Sequence, residues 1–129
     1  MKSNYAIKTL PESGVLVILE GNITRLFFDF SEEEQTMEND PETYHDCENV
    51  DATGREYGQL IAAIVNDRYS QDDVQALISN YESAKDTESD ITDAKRTEYI
   101  SEYQSFQAWR AHAKEIAKKA VTEISKLTK

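Results

Sequence analysis

Ten carboxylates crowd into residues 29–51, at Asp29, Glu32, Glu33, Glu34, Glu38, Asp40, Glu42, Asp46, Glu48 and Asp51, with no Lys or Arg among them. Oxygen ligands at this density suit a hard divalent cation. A calcium loop, however, spaces them as D-x-[DN]-x-[DN]-G with a Glu at its twelfth position, and the stretch has no such pattern. A solvated charged loop is the expectation. His45 and Cys47 stand two residues apart, so on a strand they share a face and an imidazole could activate a thiolate. No third group to orient the pair is identifiable, which makes the placement incidental. His112, set among Arg110, Lys114 and Glu115, reads as a surface residue. The four glycines are scattered singly, and no phosphate loop, G-x-S-x-G or H-E-x-x-H occurs. The chain therefore reads as a non-enzyme, with no catalytic residue, metal ligand or cofactor assigned.

Two cations stand out because each falls within the apolar stripe of its helix rather than opposite it: Arg68 and Arg110. An Arg so placed lays its stem over the core, or pairs with a carboxylate from another element, and structural pairing is the reading preferred over an anionic ligand. Charge is also divided along the chain. From Arg110 to Lys129 six basic residues face two acidic ones, opposite in sign to residues 29–51. The tail can fold back on that stretch, bind it in a neighbouring molecule, or stay solvated.

The net charge of −11 disfavours direct nucleic-acid binding, since phosphate contacts need clustered Lys and Arg, and it favours a basic partner. One cysteine makes no internal disulfide, and with two histidines beside it a zinc site of the usual ligands is not expected. The longest apolar run, Val15 to Leu19, is far shorter than the ~20 residues of a membrane span. With no signal-like segment in Met1 to Leu10, a cytoplasmic address without membrane contact is the default.

At 129 residues, 39% hydrophobic and 30% charged, one domain with a modest core is expected over 1–129. Its class is α+β: an N-terminal antiparallel hairpin or meander followed by three helices, the last one long. Residues 1–50 read as β-rich, with turns at Pro11–Gly14 and Gly21–Asn22 between runs of β-branched and aromatic residues. Val15–Leu19, apolar on both faces, reads as the central strand. The acidic stretch 29–51 reads mostly as loop, with Tyr44, Cys47 and Val50 on a short edge strand. Residues 54–83 read as a helical corner, with Tyr57, Leu60, Ile61, Ile64 and Val65 on the first buried face and Val74, Leu77, Ile78 and Tyr81 on the second, begun by the N-cap Ser70.

Residues 91–126 carry no Gly or Pro and keep helical period throughout. A helix of ~33 residues spans about 50 Å, beyond the ~30 Å of a domain this size, so it must bend or project. The aromatic half, Tyr99 to Trp109, reads as core-facing. The alanine-rich half reads as projecting, which makes Arg110, Ala113, Ile116, Ala117, Ala120 and Ile124 the candidate partner-binding residues.

Arg68-Tyr-Ser-Gln-Asp-Asp-Val-Gln-Ala-Leu-Ile-Ser-Asn-Tyr81, followed by Glu102-Tyr-Gln-Ser-Phe-Gln-Ala-Trp-Arg-Ala-His-Ala-Lys114, resembles small uncharacterised proteins encoded in prophages and integrated elements of gut bacteria, some of them near tail genes. The similarity covers the helical C-terminal half. It implies a phage-derived, tail-associated accessory or assembly protein and carries over no catalytic residue. The functional expectation is a non-catalytic interaction protein whose partner is a phage structural protein or a second copy. The alternative is an acidic DNA mimic, a decoy occupying a basic protein site.

Overall fold

The computed structural model describes residues 1–7, 9–36, 38 and 41–128. Five strands, β1 (Lys2–Ala6), β2 (Val15–Glu20), β3 (Ile23–Phe28), β4 (Gln35–Thr36) and β5 (Thr43–Thr53), precede three helices, α1 (Tyr57–Arg68), α2 (Gln71–Lys85) and α3 (Asp93–Leu127). The α+β class and the long last helix are as the sequence predicts.

The sheet is antiparallel, in the order β1-β5-β3-β2, with β4 also on β5. Gly21, at φ 60°, makes the tight β2–β3 turn that the sequence signals. The turn at Pro11–Gly14 is also present, closed by the Gly14 N–H donating to the Pro11 carbonyl at 3.0 Å. It leads, however, from one edge of the sheet to the other.

Two strand expectations are corrected. Val15–Leu19 is not central: β2 is an edge strand, and its apolar run reflects Val15 and Val17 buried beneath α3 while Leu16 and Ile18 lie half-buried on the opposite face. The acidic stretch is not mostly loop. Residues 43–51 of it belong to the eleven-residue β5 at the centre of the sheet, flanked by β1 on one side and by β3 and β4 on the other. Alternation rescues the end of this charged strand, since Val50 and Ala52 enter the core and Asp51 between them points to solvent; of the two acids that share the Val50 face, Asp46 is exposed and the buried Glu48 finds a cation. Residues 37, 39 and 40 of the stretch lie outside the described residues.

The core lies between one sheet face and two helices. Val15, Val17, Leu26, Phe28, Val50 and Ala52 meet Leu60 and Ile64 of α1 and Trp109, Ala113, Ile116, Ala117, Ala120 and Ile124 of α3. At 35 residues, unbroken, α3 is about 52 Å long. The sheet covers the alanine-rich half that was expected to project, while Phe106 and Trp109 of the aromatic half are buried as expected. Close approach of a helix to a pleated sheet needs small side chains, and the alanines supply them; the aromatic half before Phe106 packs instead on α2, with Tyr81 and Tyr103 stacked at 4.0 Å.

Gly54 joins β5 to α1 at φ 94°. A Cβ there would collide with the Gln59 side chain, whose Oε1 accepts from the Glu56 N–H at 3.1 Å in the box that caps α1. Gly54→Ala should lose about 2 kcal/mol in urea denaturation, half from left-handed strain and half from the cap. A loss below about 0.5 kcal/mol would show that the turn relaxes freely.

Candidate functional site

The structure separates the six expected partner residues. Ala113, Ile116, Ala117, Ala120 and Ile124 are at most 7% exposed and belong to the chain's own core. As a docking face they are corrected: the sheet covers them. Arg110 alone is exposed, and among the described residues no carboxylate pairs with it.

Arg68 follows the reading that Arg110 escapes. Its guanidinium lies 3.5 Å from the Trp109 ring centroid and donates to Glu48 Oε1 at 3.1 Å. Glu48 also takes the Met1 ammonium at 3.3 Å, and that ammonium binds Asp67 as well. The Trp109 indole N–H donates to the Ile64 carbonyl at 3.2 Å, tying α3 to α1. The buried Glu48 carboxylate is thereby paired with two cations.

The histidines and the cysteine are similarly occupied. His45 Nδ1 lies 2.7 Å from the Ser31 carbonyl oxygen, and Cys47 Sγ lies 3.4 Å from Ser3 Oγ. Burial pushes the Cys47 thiol above its ordinary range, against the pull of the Ser3 hydrogen bond, and the neighbouring Asp46 and Glu48 add to the rise. A buried thiol held in the protonated form is a poor nucleophile. His112 is not a simple surface residue: its Nε2 reaches Asp29 Oδ1 at 2.8 Å, so the basic half of α3 does touch the start of the acidic stretch. Among the described residues no group of His, Cys, Asp and Glu is arranged to hold a metal ion.

What the fold leaves open is the flank of the α2–α3 hairpin. Here Val65 of α1, Val74 and Ile78 of α2, and Tyr103, Phe106 and Arg110 of α3 line a groove of about 560 Å³. Ile78 is 45% exposed, unusual for a residue in an apolar stripe. The sequence places Ile78 on the buried face of α2, and its stripe holds the signal that was missed. Val74, Leu77, Ile78 and Tyr81 spread over about 100° of helix, wider than one neighbouring helix covers. Tyr81 faces α3, and Ile78 is left at the margin.

The groove runs between two helices, is apolar along its floor and polar at its rim through Asn66, Gln71, Gln75 and Gln107. Such a channel accepts the apolar face of a third helix. Residues 71–110 carry nine acidic side chains against four basic ones, while the charged residue on the groove wall itself is Arg110. No helix among the described residues is long and apolar enough to cross a membrane. No protein family, no curated protein and no solved structure matches the chain.

Proposed function

We propose that this chain is a non-catalytic interaction protein whose α2–α3 groove receives a basic amphipathic helix from a partner protein. The observation that carries the reading is the apolar groove of about 560 Å³ with Ile78 at 45% exposure on its wall. Charge complementarity names the occupant: a chain of net charge −11 steers cationic segments towards it and repels its own copies. An assembly or tail-accessory setting is part of the same proposal and rests on the sequence resemblance of residues 68–81 and 102–114 alone.

An 18-residue model helix of Leu and Lys, with Leu at i, i+3, i+4 and i+7, serves as the probe in calorimetric titration. Saturable binding should weaken roughly tenfold or more in Ile78→Glu and stay unchanged in Leu127→Glu, whose side chain is exposed elsewhere. Equal binding to wild type and Ile78→Glu would sink the groove as the site. Sedimentation of the protein alone covers the other occupant: a dimer that Ile78→Glu dissolves would place a second copy there and overturn the basic partner.

A second reading, the acidic decoy, gains from one finding, that Asp46, Glu48 and Asp51 sit on a rigid strand. Asp51, however, lies on the opposite face from Asp46 and Glu48, and Glu48 is paired with Arg68. A decoy would bind basic proteins equally well after Ile78→Glu.

A further inference from the structure

Most cations of the three helices are answered within the chain. Lys85, Lys95, Lys118 and Lys126 each pair with a glutamate three residues away, and Arg68 pairs with Glu48. Arg96 donates to the Ala84 and Asp86 carbonyls at the end of α2. Arg110 has no such arrangement. The positions three and four residues from it on α3 are Phe106, Gln107, Ala113 and Lys114, so its own helix supplies no carboxylate. Lys114 and Lys119 share this lack of a carboxylate partner among the described residues, but they lie outside the α2–α3 groove.

Among the described residues Arg110 is the one charged side chain that lines the groove, whose other polar groups are amides. Seating an apolar helix there removes water from around the guanidinium. A cation desolvated without a counterion opposes binding, whereas a carboxylate on the guest answers it through the two parallel bonds that a guanidinium offers. The hairpin fixes where that carboxylate must stand. α2 and α3 run antiparallel, with Tyr81 stacked on Tyr103 at 4.0 Å and Arg96 bonded to Ala84. Counting from the stack, Ile78 lies level with Phe106 and Val74 with Arg110. Phe106 and Arg110 are one turn, about 6 Å, apart along α3.

We infer that the guest helix, basic elsewhere, carries one Asp or Glu at the margin of its apolar face, about one turn from the residue seated on Ile78, and that this carboxylate pairs with Arg110. The inference deepens the groove reading and rests on it. Net charge and the local cation act in opposite senses here. Against a chain of net charge −11, an acid added to the guest weakens the long-range attraction; beside Arg110 the same acid strengthens the complex. The pair therefore selects among basic helices and fixes the register of the one that binds.

The probes are two 18-residue helices of Leu and Lys, acetylated and amidated, that differ at one central position on the margin of the leucine face, Glu in one and Gln in the other. In calorimetric titration into the full chain, the Glu peptide should bind roughly fivefold tighter or more. Arg110→Ala, at an exposed position, should abolish that difference, and Arg110→Lys should recover part of it. Arg110→Glu should reverse the preference, towards a peptide with Lys at the same position. A Glu on the polar face of the peptide should bring no gain. A Glu peptide no tighter than its Gln counterpart, or a gain that survives Arg110→Ala, overturns the inference; the groove itself still stands if Ile78→Glu weakens both peptides. If neither peptide binds saturably, or Ile78→Glu weakens neither, the groove reading falls and the inference with it.

Discussion

Trp109→Ala is expected to cost about 3 to 5 kcal/mol of folding stability, a large share of what a domain of this size possesses. The side chain is 7% exposed and does three things at once. Its ring fills the space between Phe28 and α1, at 6.4 Å from the Phe28 centroid. Its indole N–H satisfies the Ile64 carbonyl, which alanine leaves unpaired. Its face carries the Arg68 guanidinium, and without it the Arg68–Glu48 pair loses the surface that holds it in place. Urea denaturation followed by far-ultraviolet circular dichroism gives the measurement. Trp109→Phe should recover the packing but not the hydrogen bond and fall between the two. A loss below about 1 kcal/mol for Trp109→Ala would mean that α3 is not anchored at this point.

Ala117→Asp is expected to be at least as damaging, about 3 to 5 kcal/mol or outright unfolding. Ala117 is fully buried in a cluster of Val, Leu, Ile and Phe side chains, where a carboxylate meets neither water nor a cation. On the same stretch of α3, Val121 is 38% exposed, and Val121→Asp should change stability by no more than about 0.5 kcal/mol. The contrast decides between the two orientations of the alanine-rich half. If the helix projected from the globule, Ala117→Asp would be tolerated and would disturb only association with a partner. Thermal denaturation of the two variants side by side separates these outcomes.

The expected and observed positions of the partner surface differ for a reason visible in α3. Alanine at 113, 117 and 120 is a weak hydrophobic signal by transfer energy, so residue types alone rank the aromatic half as the core. A sheet, however, admits a helix closely only where the side chains are short, and the low hydrophobicity of that face is offset by the apolar strands beneath it. The start of the aromatic half needed less cover: Tyr99 and Tyr103 are amphipathic and remain half-buried, and Tyr103 stacks on Tyr81 of α2.

β5 shows the limit from another side. Read locally, a run rich in Asp and Glu has no force favouring order. Its order comes from distant partners: Arg68 for Glu48, β1 and β3 for the backbone, and α1 for Val50 and Ala52. The reverse error befell Val15–Leu19, whose apolar residues announce burial without saying on how many sides a strand is paired.

Helix positions, the Ser70 cap, the Gly21 turn, the α+β class and the pairing of Arg68 are written in residue type and spacing, because each depends on contacts within a few residues or on a charge that burial forces to find a counterpart. The tertiary structure decided the strand order, the buried half of α3 and the surface left open at Ile78. Periodicity specifies which face of an element avoids water; what comes to cover that face is fixed by contacts between residues far apart in the chain.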